Sequence, residues 1–244
     1  MHTYIRLEMF GFLQRKRSLL ESGLLKGATD SHSHILFGLD DGVKTAEDSL
    51  KIMEFYEQAG LDTLWLTPHT MEDVPNTSEG IRARFEEFKA LYHGPIKLEL
   101  ASEYMIDTLF EKRLEDRDLL MHGEDTVLVE TSTQFPPINL WDVLDTMLKA
   151  GYRPLVAHPE RYHYMQKEDY RRLHDMGCLM QLNLPSLVGV YGETVALKAH
   201  ELLKKGWYCM AGSDCHRYHA LMKQYGAQVL KKDELALLET IIHG

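Results

Sequence analysis

The side chains of this chain best suited to chemistry are histidines and carboxylates set at wide, regular intervals. His32-Ser33-His34 and Asp214-Cys215-His216 each carry two ligand-type side chains two residues apart. On an extended strand, residues i and i+2 point to the same face, so both members of such a pair can reach one ion. His69, Glu103, Glu130 and His158 are spaced between the two pairs. Glu130 ends the apolar run Leu128-Val129, and a carboxylate there needs a partner charge, which a metal or a buried salt bridge would supply. Mixed nitrogen and oxygen ligation without thiolate suits manganese, iron or zinc better than a soft-metal site. Thirteen histidines are many for 244 residues, and histidine is the commonest metal ligand.

From residue 28 onward, short β-like runs alternate with helical stretches that would position these groups. Apolar patterning predicts strands over 28–36, 61–69, 96–106, 126–132, 154–160, 178–185 and 207–214. His32 and His34 end the first, His69 the second, and Glu103 follows the core of the third. Glu130 closes the fourth, His158 the fifth, and Asp214 with His216 the seventh. In a parallel barrel those ends converge on one mouth, where such folds build active sites. Ile81, Phe85, Phe88 and Leu91 form one helical apolar stripe, and Leu140, Val143, Leu144, Met147 and Leu148 form another. Thr45 with Asp48 reads as a capping box, Asn139 as an N-cap, and Gly60, Gly151 and Gly206 as helix stops. Seven β-then-α units predict a closed seven-stranded α/β barrel of TIM-like type, not an open doubly wound sheet. No glycine-rich phosphate cradle follows the first strand.

The chain is 44% apolar and 26% charged, which suits one sizeable domain over 28–244. A net charge of −10 argues against a general nucleic-acid grip. Cys178, Cys209 and Cys215 show no C-x-x-C spacing, which points to a reducing, cytoplasmic compartment. No apolar run approaches the ~18 residues that span a bilayer. Residues 1–27 differ: Phe10, Phe12, Leu13, Leu19 and Leu20 surround Arg15-Lys16-Arg17. This N-terminal arm reads as a short helix packed on the barrel, with peripheral membrane or partner docking as the alternative.

Thr29-Asp30-Ser31-His32-Ser33-His34-Ile35-Leu36 followed by Asp40-Asp41-Gly42 resembles the opening motif of PHP (polymerase and histidinol phosphatase) phosphoesterases. More narrowly it is similar to their bacterial capsule- and exopolysaccharide-linked tyrosine phosphatases. Thr67-Pro68-His69, Glu103, Leu128-Val129-Glu130, Ala157-His158-Pro159-Glu160-Arg161-Tyr162 and Ser213-Asp214-Cys215-His216 continue the resemblance to about residue 220. It implies a distorted (β/α)7 barrel holding three divalent ions, most often manganese, with iron or zinc as alternatives. It further implies one ion on His32, His34 and Asp214, bridged through Glu103 to a second on Glu130 and His158. A third falls to Asp41, His69 and His216. Strand alternation should turn the sulfur of Cys215 away from them. One departure stands out: the family usually has Asn after the last motif histidine and an arginine soon after, where this chain has Arg217-Tyr218-His219. Arg217 is either a substitute phosphate contact or a solvated charge.

The implied reaction is hydrolysis of a phosphomonoester by metal-activated hydroxide, in line with the leaving oxygen. Arg161 is the candidate to stabilise phosphate charge, against a surface pairing with Glu160. Tyr162 and Tyr164 are either flanks for a substrate ring or rim packing. The expected substrate is a phosphotyrosine protein, a bacterial tyrosine kinase above all. The alternatives are a small-molecule phosphatase, such as one acting on histidinol phosphate, and a metal-binding scaffold or nucleic-acid-processing module. A cysteine-dependent phosphatase is excluded, because the residues six places after the cysteines are Leu184, Cys215 and Leu221 where an arginine is required.

Overall fold

The structure, a computed structural model, describes residues 16–227 and 229–243. Its strands are β1 (Thr29–Asp30), β2 (Thr63–Leu66), β3 (His69–Thr70), β4 (Lys97–Leu100), β5 (Glu103–Met105), β6 (Thr126–Glu130), β7 (Arg153–Ala157), β8 (Leu179–Asn183) and β9 (Met210–Gly212). All named pairings are parallel, in one sheet of order β1-β2-β4 and another of order β3-β5-β6-β7-β8-β9. The fold is an α/β architecture with a curled parallel half-barrel sheet. The helices are α1 (Leu19–Ser22), α2 (Ala46–Ala59), α3 (Ser78–Leu91), α4 (Thr108–Asp116), α5 (Leu140–Lys149), α6 (Lys167–Met176), α7 (Leu184–Leu187), α8 (Glu193–Lys204), α9 (Tyr218–Tyr225) and α10 (Lys232–Ile242). Helical crossovers are what parallel strands require.

Side-chain parity decides what faces the inside of the curl. In β6, Val127 and Val129 join the large core under the helices, while Leu128 joins Leu155 and Ala157 in a separate small cluster. Glu130 has the parity of Leu128, so it continues along that inner face to the strand's end. The inner cluster thus forms an apolar floor beneath the polar mouth.

The strands are shorter than the apolar runs suggest, and two runs split. The run over 61–69 becomes β2 and β3, and 96–106 becomes β4 and β5. His158 and Asp214 lie beyond β7 and β9, with left-handed φ values of 35° and 51°. Non-glycine residues adopt that region at a cost, and such strain gathers at functional sites. Asp214 and His216 are therefore not paired by the two-residue repeat of a strand, as the sequence suggested. Leu91 is 45% exposed and does not complete its stripe. Thr45 accepts from the Asp48 N–H as expected of a cap. Asn139 caps nothing with its side chain and donates to Glu111 instead. Gly60 ends α2 in the left-handed conformation, whereas Gly151 and Gly206 follow the caps Ala150 and Lys205 by one residue.

Phe10, Phe12, Leu13 and Arg15 lie outside the described residues. Next to them, Leu19 of α1 and Leu25 are buried in the core, and Arg17 forms an antiparallel bridge with Leu230.

Candidate metal centre

Glu103 stands at the middle of the mouth and is fully buried. Its Oε2 lies 3.1 Å from His32 Nε2, from His34 Nε2 and from His69 Nδ1. Its other oxygen lies 3.1 Å from His158 Nε2. Asp214 Oδ1 sits 3.6 Å from His32, 3.3 Å from His34 and 3.5 Å from His216. Glu130 approaches His69 at 3.2 Å and His158 at 3.8 Å. Asp41 lies at the outer edge, 3.3 Å from His216 and 3.6 Å from His69. All nine sequence candidates therefore meet in one place. The distances group seven of them as His32–His34–Glu103–Asp214, His69–Glu103–Glu130 and His34–His69–His216, with His158 and Asp41 beside these groups. His69 thus lies nearer the glutamates than the resemblance implied.

The arrangement fits shared metal ligands better than a hydrogen-bond network. His32 and His34 turn their Nε2 atoms to within 2.9 Å of each other. Glu103 Oε2 and His69 Nδ1 are buried yet make no hydrogen bond despite their close neighbours. Buried polar atoms left so are costly, and a cation among them would satisfy several at once. Outer contacts fix which ring nitrogen faces in. Gln181 Oε1 lies 2.7 Å from His32 Nδ1, and Asp40 Oδ2 lies 2.8 Å from His34 Nδ1. Such partners hold ligand imidazoles in one tautomer and orientation. Asp40 also accepts from the N–H groups of His69 and Gly42 at 2.9 Å each. Gly42 is required here, because a Cβ would fall 2.2 Å from the His34 carbonyl oxygen.

Electrostatics concentrate negative charge in the mouth. Burial opposes protonation of His32 and His34, but Glu103, Asp214 and Asp40 outweigh it and raise both. Burial and His34 oppose His69, yet Glu103 and Glu130 pull it up to about 10. Burial favours the acid forms of Glu103 and Asp214, but the surrounding histidines hold both carboxyls well below their usual range. The hydrogen bond with His216 lowers Asp41 to about 2.

Arg161 reaches this mouth from the turn after β7. Its Nη1 donates to Asp214 Oδ2 at 2.6 Å, and its guanidinium stacks on the Tyr191 ring at 4.4 Å. The alternative pairing with Glu160 is ruled out by direction. Glu160 is buried the other way, accepting from the Asn183 N–H at 3.0 Å and the Tyr208 hydroxyl at 2.9 Å. Tyr162 must be corrected as a substrate flank: it is fully buried, and its hydroxyl accepts the Thr131 N–H. Tyr164 stacks on it and shares a hydrogen bond with Thr131. Cys215 is buried, with its sulfur near the Arg217 carbonyl, and Arg217 itself is exposed. The sequence reading missed the supporting roles of Asp40, Gln181, Asn183 and Tyr191. Gln181 was findable as a polar residue between Met180 and Leu182. Tyr191 carried no local signal.

A curled parallel α/β sheet with histidines and carboxylates gathered at its C-terminal edge is the architecture of TIM-like hydrolases. The chain belongs to the capsular polysaccharide synthesis family CpsB/CapC, whose profile matches residues 28–239. It is 31% identical over 168 residues to tyrosine-protein phosphatase CpsB of Streptococcus agalactiae serotype V, covering 63% of this chain and 66% of that one. The chain thus spans just under two thirds of that relative's length. CpsB of Streptococcus pneumoniae is 26% identical, over 83% of this chain and 93% of its own. Among solved structures, that of the metal-dependent tyrosine phosphatases YwqE from Bacillus subtilis and CpsB from S. pneumoniae superposes with a TM-score of 0.72. It is 23% identical and covers 87% of this chain and 95% of its own. A lactonase from Listeria monocytogenes shares the fold at a TM-score of 0.58 and 11% identity, covering 93% of this chain and 96% of its own.

Proposed function

We propose that this protein is a metal-dependent protein tyrosine phosphatase. The observation that carries the reading is the convergence of five histidines and three further carboxylates around buried Glu103, with an arginine fork at the rim. Family membership and relatives named as tyrosine phosphatases support it. His32, His34 and Asp214 would hold one divalent ion, with Glu103 bridging to a second on Glu130 and His158. Asp41, His69 and His216 would hold a third, and manganese heads the candidates, before iron and zinc. Bound ions would supply Lewis-acid polarisation of the phosphoryl group and a more acidic water.

The chain's own residues do the rest. Arg161 binds phosphoryl oxygens through its planar fork, leaving Asp214 to the ion. The stack on Tyr191 and the hydrogen bond from Asn183 Nδ2 to Asp214 keep guanidinium and carboxylate in register. A phenolate leaving group needs little proton assistance, since tyrosine titrates near ~10. This suits a mouth in which the carboxyls of Glu103 and Asp214 are held as anions. Arg217 is a second candidate contact to substrate. The substrate is a phosphotyrosine protein, in this family's setting a tyrosine kinase of capsule or exopolysaccharide synthesis.

We further read the sheets as a (β/α)7 barrel domain over residues 28–244, preceded by an N-terminal arm, 1–27, of which the described residues 16–27 pack against it. Backbone hydrogen bonds from Thr67 to Ser33 and from Ala101 to Leu66 continue the strand runs past their breaks. Bonds from Ser31 to Ala211 and from Asp214 to His32 tie the first run to the last. The function is tested with manganese-loaded protein against a phosphotyrosine peptide, a phosphoserine peptide and histidinol phosphate in parallel. Preference for the first is expected. Faster turnover of histidinol phosphate would establish the small-molecule alternative.

A further inference from the structure

A cavity of about 310 Å³ opens beside the ligand cluster, and Asp41 and His216 belong to both. Its other walls are Lys44, Lys51, Arg217, Tyr218 and His219, with Asp48 at one side. The charge there opposes that of the molecule, which carries −10 overall. Asp41 is engaged by His216 and His69, and Asp48 is engaged by the Thr45 hydroxyl. Lys51 and Arg217 make no ion pair among the described residues. Lys51 is held in place by the Tyr218 ring, 4.6 Å from its ammonium. Lys44 donates to the Asp40 carbonyl, which fixes a second ammonium on the same wall. Lys44, Lys51 and Arg217 thus outnumber the two carboxylates, Asp41 and Asp48, that line the recess with them.

We infer that this recess is an anion subsite, which binds an acidic group lying a few residues from the phosphotyrosine being hydrolysed. This rests on the phosphatase reading and narrows its substrate class to phosphotyrosines in acidic surroundings. Shared walls put the subsite within reach of the same peptide, since His216 and Asp41 line the recess and also stand at the edge of the ligand cluster. The anion is either a carboxylate or a second phosphate, and both are met by ammonium and guanidinium groups.

Lys51 is the residue to change, because it touches none of the groups around Glu103, whereas Lys44 leans on the backbone of Asp40. Three phosphotyrosine peptides are compared, with neutral flanks, with glutamate flanks and with a second phosphotyrosine. The wild type should favour the charged peptides in kcat/KM by about tenfold at low salt, falling as ionic strength rises. Lys51→Glu should bring that ratio to about one, and the peptide that loses more identifies carboxylate or phosphate as the ligand. Equal turnover of all three peptides by the wild type would overturn the inference. So would a preference that Lys51→Glu leaves intact. If no peptide is turned over, the phosphatase reading fails by itself. Fluorescence anisotropy of the labelled glutamate-flanked peptide then decides the subsite: weaker binding by Lys51→Glu upholds it, and equal binding removes it.

Discussion

Two histidines at opposite ends of the sheet, one partly buried and one fully, are both largely taken out of water yet respond in opposite ways. His69, at the C-terminal mouth, is pulled up to about 10, because Glu103 and Glu130 lie within hydrogen-bonding range. His122, at the far end, is pushed down to about 3 by burial and, after it, by the charge of His32. His122 stacks on Trp65, ring centroids 4.2 Å apart, beside a cavity of about 390 Å³ that includes Thr63, Lys97, Thr126 and Arg153. Those four residues begin or lie near the start of their strands. Burial without a paired carboxylate therefore leaves a neutral ring, and collected carboxylates turn the other end into a place that attracts cations.

The sharpest way to break this contrast is to remove the carboxylate at its centre. Glu103→Ala should reduce kcat/KM on a phosphotyrosine peptide by about 10³-fold or more and lower the content of bound manganese. His158→Ala should follow closely. Wild-type activity in Glu103→Ala would show that the cluster around it is not the reacting centre.

Next in size is Arg161→Lys. A lysine point charge cannot reproduce a fork held between Asp214 and Tyr191, so activity should fall roughly 30- to 1000-fold at equal metal content. A fall below about threefold would return Arg161 to a structural role as the partner of Asp214.

The mouth was legible in the sequence because eight of its nine groups stand at or near strand ends, and strand ends of a parallel barrel share one face. The alternation of parallel strands with helices was legible from apolar patterning. Strand lengths were not, because His158 and Asp214 leave the strand by left-handed turns that no periodicity signals. Tyr162 looked like a rim aromatic because it follows Arg161, yet the turn over Pro159–Arg161 rotates it into the core. The stack of Arg161 on Tyr191 joins residues 30 positions apart in the sequence, so only tertiary structure reveals it.

A smaller effect is expected from metal removal. Ions that bind the native mouth and not the unfolded chain stabilise the fold by about 2.7 kcal/mol at a free concentration of 100 Kd. Chelation should therefore lower Tm by several degrees, measured by thermal denaturation with and without manganese. In Glu103→Ala that shift should shrink. A chelator-independent Tm in the wild type would argue that the cluster holds no ion tightly.

The smallest change tests the far end. His122 is 4% exposed, and neither ring nitrogen has a protein hydrogen-bond partner among the described residues. His122→Phe keeps an aromatic ring against Trp65 and removes both unpaired nitrogens, so stability at pH 7 should rise by about 1 kcal/mol. The pH dependence supplies the stronger check. Folded His122 stays neutral down to about pH 3, whereas in the unfolded chain it takes up a proton below ~6.5. Between those values the unfolded state binds more protons, so this residue costs stability progressively as pH falls through the window. At pH 5 the cost is roughly 2 kcal/mol, and the phenylalanine variant escapes it. Urea denaturation of both proteins at pH 7 and pH 5 should show the variant's advantage widening by about that amount, because other titrating groups cancel in the difference. An advantage that is the same at both pH values would mean that His122 titrates normally and that the far end is not the dry counterpart of the mouth. Activity on a phosphotyrosine peptide should change by less than about threefold, since His122 is not among the side chains gathered around Glu103.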